Sequence, residues 1–112
     1  MNEKSRFKIR FEQNENTKRA VEAMRITHKS GPFWHIGWLY WVDVDTRDVL
    51  FYFPINDFRR LSNENKEFFI EDLKTKWIEA NFEILEHKIL GKDEEYPYQL
   101  WHGVFFRLKS LI

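Results

Sequence analysis

The chain has no cysteine, only four glycines and three prolines among 112 residues, and its 18 basic and 18 acidic side chains cancel. Each shortage excludes something. Without cysteine there is neither a disulfide framework nor a thiolate metal site, so the core must hold itself together and a reducing, cytoplasmic setting is expected. The glycines, isolated at 31, 37, 91 and 103, cannot form the clustered loop that cradles a nucleotide's phosphates ahead of a helix. A zero net charge gives no global field toward nucleic acid or an anionic membrane, so a partner of that kind needs a local patch. The opening, MNEKSRFKIRF, carries charge where a secretory signal needs an apolar run, and no stretch approaches the length of a membrane span. No membrane partner is expected.

Catalytic constellations are also missing. The histidines, His28, His35, His87 and His102, have no metal-binding spacing. Ser5, Ser30, Ser62 and Ser110 lack a nucleophile-elbow context. Asp43, Asp45 and Asp48 in DVDTRD lack the glycine and distal glutamate of a calcium loop and read as a turn instead. No catalytic residue and no metal ligand set is assigned, and no cofactor is expected.

What the chain has in quantity is aromatic side chains, 11 Phe, 5 Trp and 4 Tyr. At this length one domain is expected over 1–112, burying about two-thirds of its extended surface. In RFKIRFEQ, Phe7, Ile9 and Phe11 alternate with charged residues, which predicts a strand with one buried face. NENT can cap a short helix whose stripe is Ala20, Val21, Met24 and His28, and KSGP ends it. FWHIGWLYWVDVDTRDVLFYFPI then reads as a hairpin of two-faced strands. One face would carry Trp34, Ile36, Trp38, Tyr40 and Val42 as core, the other His35, Gly37, Leu39 and Trp41. Ser62 or Asn63 can cap a long helix with the stripe Phe69, Ile70, Leu73 and Trp77. Residues 82–90 suit a strand or a helix, with a strand preferred after a helix end near Asn81. GKDEEYP reads as an exposed loop, and the last segment as a strand with Gly103 at a bulge. The order is β-α-β-β-α-β-β: a single small α+β domain, mainly antiparallel, with a central β-hairpin packed against a long helix.

One stretch, KSGPFWHIGWLYWVDVDTRDVLFYFPINDFRRL, residues 29–61, resembles the later half of PD-(D/E)XK nuclease-like domains. The resemblance rests on the order of aromatic strand, acidic turn, second strand and helix. It implies a nucleic-acid-binding, nuclease-like domain with magnesium as cofactor. The segment before the hairpin, FKIRFEQ, has no acid two residues ahead of a lysine, so the implied relative is catalytically degenerate, with Glu12 as a stand-in carboxylate. The acid-x-Lys spacing recurs in ENK, DLK and EHK, and only Glu86 and Lys88 would share a strand face. Two basic clusters, Arg6, Lys8 and Arg10, and Arg59 and Arg60, are the candidate nucleic-acid contacts.

The leading expectation is a small non-enzymatic protein-interaction module, an inhibitor or adaptor of the kind mobile elements encode, because tryptophan and phenylalanine exceed the needs of a small core and are enriched at interfaces. Its partner would be another protein, or a second copy in a homodimer joined through a strand edge. The candidate contact surface is His35, Leu39, Trp41 and Tyr52. The nucleic-acid-binding domain is the alternative.

Overall fold

Asn14 sets where the first helix begins. Its backbone is extended, its side-chain oxygen accepts the Thr17 amide at 2.9 Å, and the Thr17 hydroxyl accepts the Asn14 amide at 2.8 Å. This reciprocal capping box satisfies two amides that would otherwise lack partners. In the computed structural model, which describes residues 9–10, 12–29, 31–90 and 103–112, helix α1 then runs Glu15–His28. The Arg6 and Lys8 side chains and the 91–97 loop lie outside the described residues.

The other elements follow in the expected order. Strand β1 is Ile9–Arg10, and a 3-10 turn covers Gly31–Phe33. Strands β2 (Leu39–Asp43) and β3 (Val49–Pro54) form the hairpin. A single-turn helix α2 (Ile55–Phe58) leads to α3 (Asn63–Glu79), and β4 (Phe82–Leu90) and β5 (Gly103–Ser110) complete an α+β fold. Ser62 caps α3, accepting the Asn65 amide at 3.1 Å. Past its end, Asn81 takes the left-handed conformation at φ 69°, a single residue that turns the chain from α3 into β4. The ambiguous segment 82–90 is therefore a strand.

All pairings are antiparallel, and the strand order is β1-β2-β3-β5-β4. β3 and β5 lie at the centre, with Phe51 opposite Phe106 and Tyr52 opposite Phe105. Central strands meet protein on both faces, which accounts for the unbroken apolar run VLFYF. Pro54, which has no amide to donate, is the last residue of β3.

Both long helices pack on one face of the sheet. Ala20, Ala23 and Met24 of α1 join Phe69, Ile70, Leu73 and Trp77 of α3 over Val49, Phe51, Phe53, Val104, Phe106 and Leu108. Trp77 is fully buried, its ring 5.0 Å from those of Phe51 and Phe106, and its Nε1–H donates to the Ala20 carbonyl at 2.9 Å. Arg19 ties α1 to the far end of the sheet, donating to Ala80 O at 2.8 Å and Ser110 Oγ at 2.7 Å with its guanidinium over the Phe82 ring. The opposite face carries a second cluster of Trp41, Leu50, Tyr52 and Phe105, with Leu39 at its margin.

Three expectations are corrected. The strand does not begin at Phe33: residues 31–38 are a 3-10 turn and an irregular lead-in, so two-residue alternation does not govern them. Phe33 and Ile36 are buried, Trp34 is 70% exposed, and Trp38 is half-buried at the edge of the core instead of inside it. Gly103 is not at a bulge but in register opposite Pro54, and the register shift lies in β4 between Ile84 and Glu86.

Gly103 is required by packing. A Cβ there would lie 2.4 Å from the Phe53 carbonyl oxygen and 2.5 Å from the Tyr52 ring. The carbonyl belongs to the central strand and cannot move aside without disturbing the ladder. Gly103→Ala is expected to lower stability by about 1–3 kcal/mol, the range for overpacking a core. Urea denaturation midpoints check this, and an unchanged midpoint would contradict the packing described.

Candidate functional site

The lead-in to β2 is shaped by contacts from distant residues. Nε2–H of His28, at the end of α1, donates to the Ile36 carbonyl at 2.7 Å, and the Gly37 amide donates to Asp57 Oδ2 at 3.1 Å. These bonds fold the chain inward at Ile36 and leave the Trp34 ring facing solvent, in edge contact with the His35 ring. Beside it, Phe33 is buried against Phe69 and stacks at 5.9 Å on Phe68, itself 55% exposed. Two large rings near Phe33 are thus exposed: Trp34, its neighbour in the chain, and Phe68, which stacks on it.

The surface expected at His35, Leu39, Trp41 and Tyr52 is redistributed. Leu39 and Tyr52 are cross-strand partners, and the Trp41 and Tyr52 rings lie 6.5 Å apart. However, Trp41 is only 4% and Tyr52 6% exposed, and burial raises the Tyr52 hydroxyl above its ordinary pKa. His35 stands apart in the lead-in. At Gly37 a Cβ would meet only Asp57 Oδ2, at an ordinary 3.6 Å, so packing does not demand a glycine there.

A groove runs along α1 where it faces the hairpin. Gln13, Thr17, Lys18, Val21, Glu22, Arg25, Trp38 and Tyr40 line a depression of about 240 Å³. The Trp38 and Tyr40 rings stack at 6.2 Å with 29° between their planes, and the Arg25 guanidinium lies 5.7 Å from the Trp38 ring. Gln13 donates to the Tyr40 hydroxyl. A second depression of about 280 Å³, lined by Glu22, Arg25, Ile26 and Lys29, shares two of these walls. The helical spacing of Lys18, Glu22, Arg25 and Lys29 was visible in the sequence. That the stripe faces Trp38 and Tyr40 was not, because it depends on the irregular lead-in.

The acidic residues have structural partners. Asp43 Oδ1 accepts the Asp45 and Thr46 amides at 2.9 and 3.1 Å, so Asp43 holds the hairpin turn, and Arg47 completes it in the left-handed region at φ 69°. Arg107 of β5 donates to Asp43 Oδ2 at 3.3 Å and Asp48 Oδ2 at 2.8 Å. Burial pushes the Asp43 carboxyl up, but the two turn amides and Arg107 outweigh it and leave its pKa below the ordinary value. Glu12 is held by Arg47, Asn14 and Arg10, with Arg47 the largest influence, and its pKa falls to about 2.

These placements bear on the nuclease-like trio. Glu12 follows β1 at one edge of the sheet, whereas Glu86 and Lys88 lie on β4 at the other. Four strand spacings separate the edges by roughly 19 Å. One cation cannot bind both carboxylates across that distance. Among the described residues, no group of three or more His, Cys, Asp or Glu could hold a metal ion. Of the basic candidates, Arg10 lies on β1 near the hairpin turn. Arg59 and Arg60 are exposed beyond α2, near the other end of β3.

His87 is the remaining group of chemical interest. Its ring stacks on Phe106 at 5.1 Å, and Nε2 is buried with no hydrogen-bond partner among the described residues. Burial lowers its pKa from 6.5, Lys74 lowers it further and Glu71 opposes. The unfolded chain therefore takes up a proton more readily than the folded chain below about pH 6.5. This contribution to stability is complete above that pH and is lost as pH falls toward the depressed folded value. Denaturation midpoints are expected to drop between about pH 7.5 and 5, and to drop less in His87→Phe. Equal pH slopes for the two proteins would contradict this reading.

No family model matches the chain, and neither a curated protein nor a solved structure matches it.

Proposed function

We infer that the protein is a non-enzymatic protein-interaction module, an inhibitor or adaptor, whose contact surface centres on Trp34. The observation that carries this is the 70% exposure of Trp34, next in the chain to Phe33, on whose ring the 55% exposed Phe68 stacks. Burying a large aromatic side chain is worth about 1.5–3 kcal/mol, so leaving two in water at one end of the fold forgoes stability that the core could have used. Tryptophan is the side chain most enriched at interface hot spots, where a partner recovers that free energy. Phe33, wedged between Phe68 and Phe69, holds the base of the patch rigid, and preorganised rings lose little entropy on contact. No helix among the described residues is long and apolar enough to cross a membrane. The cysteine-free composition suits action in a reducing cytoplasm.

The test separates stability from association. Trp34→Ser combined with Phe68→Ser is expected to lower stability by about 1–2 kcal/mol, since Trp34 is already largely in water and Phe68 gives up mainly its stacking on Phe33. Trp41→Ser, at a buried position, is expected to cost about 3–5 kcal/mol. Sedimentation velocity and affinity capture with the wild-type chain would reveal self-association or a protein partner, and the double variant is expected to abolish it. A wild-type chain that neither associates nor captures, or a double variant that does both normally, would contradict the proposal.

A further inference from the structure

We propose that the groove between α1 and the hairpin binds a nucleotide unit, its base stacked on Trp38 and Tyr40 and its phosphate held by Arg25 and Lys29. This site is separate from the Trp34 surface and does not rest on it. The floor comes first. Trp38 and Tyr40 are half-buried, stacked side by side, and present aromatic surface to a depression that Val21 closes from the helix. At about 240 Å³ the depression is smaller than the roughly 300–1,000 Å³ of drug-sized pockets. One flat ring fits it and a folded peptide does not. Bases of any sequence can stack on such a platform, because each has a π-face.

Charge selects the rest of the ligand. Lys18, Glu22, Arg25 and Lys29 succeed one another at spacings of four, three and four residues, placing them on one stripe of α1. Arg25 and Lys29 line the second depression, about 6 Å along the helix axis from one another. A base in the first depression would put its phosphate at the second, with Arg25 at the shared wall. Among the residues that line the two depressions, the three cations Lys18, Arg25 and Lys29 outnumber the one carboxylate, Glu22, so the groove is positive although the chain as a whole is neutral. The Arg25 guanidinium lies over the Trp38 ring, 5.7 Å from its centroid, so a base stacking there takes the place of that cation and moves it toward the phosphate.

The chemistry is the same whether the nucleotide is free or part of a single strand, so the experiment has two arms. A labelled oligothymidylate is titrated by fluorescence anisotropy, and adenosine monophosphate by the shift of the Trp38 indole resonance, both at about 25 mM salt where phosphate contacts are strongest. Binding in either arm is expected, and whichever arm binds more tightly identifies the source. Arg25→Glu with Lys29→Glu, the first exposed on α1 and the second at its exposed C-terminal cap, is expected to weaken binding by at least about tenfold without unfolding the chain. Glu22→Gln is expected to tighten binding by roughly twofold or more, because it removes the one carboxylate that lines the two depressions among the described residues. Trp38→Ala tests the stacking floor, and the charge variants keep the test decisive should that variant prove unstable. Absence of binding in both arms, binding indifferent to the double charge reversal, or weaker binding by Glu22→Gln would each overturn the proposal.

Discussion

Trp77 is the residue on which the packing of this fold depends. One side chain touches both central strands through Phe51 and Phe106 and reaches the neighbouring helix through a hydrogen bond from its indole to the Ala20 carbonyl. A buried N–H without a partner would carry a desolvation penalty of about 1–3 kcal/mol, so the carbonyl's position fixes how α1 lies against α3. Ala20 and Ala23 are small enough to let the helix approach, and larger side chains there would push the carbonyl out of reach. The cap at Asn14, the Arg19 bonds to Ala80 and Ser110, and the contact of Thr27 with Asp72 all hold α1 in that same seat.

With both helices on one face, the other face of the sheet needs a different solution. Trp41, Leu50, Tyr52 and Phe105 form its apolar part, and Arg107 with Asp43 and Asp48 forms its polar part. The ion cluster links the hairpin turn to β5, so the turn is set both by the local amide bonds of Asp43 and by a strand far away in sequence. Breaking such a mostly buried set by removing one member would leave the others uncompensated, which makes it a device for holding register more than a source of net stability.

Much of this was legible in the sequence, for reasons that differ element by element. The α3 stripe of Phe69, Ile70, Leu73 and Trp77, the Ser62 cap and the reversal at Asn81 are local signals, and local signals decided those elements. The element order followed from them. The lead-in at 31–38 was misread because its alternation of large and small groups suits a strand. The bonds that prevent one come from His28 and from Asp57, 20 residues beyond Gly37. That error moved Trp34 from the solvent to the core and Trp38 from the groove to the interior. Gly103 was misread for a related reason: the need for a missing side chain arises from the Phe53 carbonyl and the Tyr52 ring, and neither is near it in sequence. Each proposed surface takes one ring from the misread segment, Trp34 or Trp38, where tertiary contacts override the local pattern.

The tryptophans divide between two settings: Trp77 is locked between three elements and Trp34 lies exposed to solvent. Hydrogen exchange of the indole N–H groups, followed by NMR in the isolated protein, measures that division directly. The indole of Trp77 is expected to exchange only through global unfolding, as slowly as the best-protected amides of β3 and β5, and that of Trp34 is expected to exchange at close to the rate of a free indole. Rapid exchange at Trp77, or strong protection at Trp34, would contradict it.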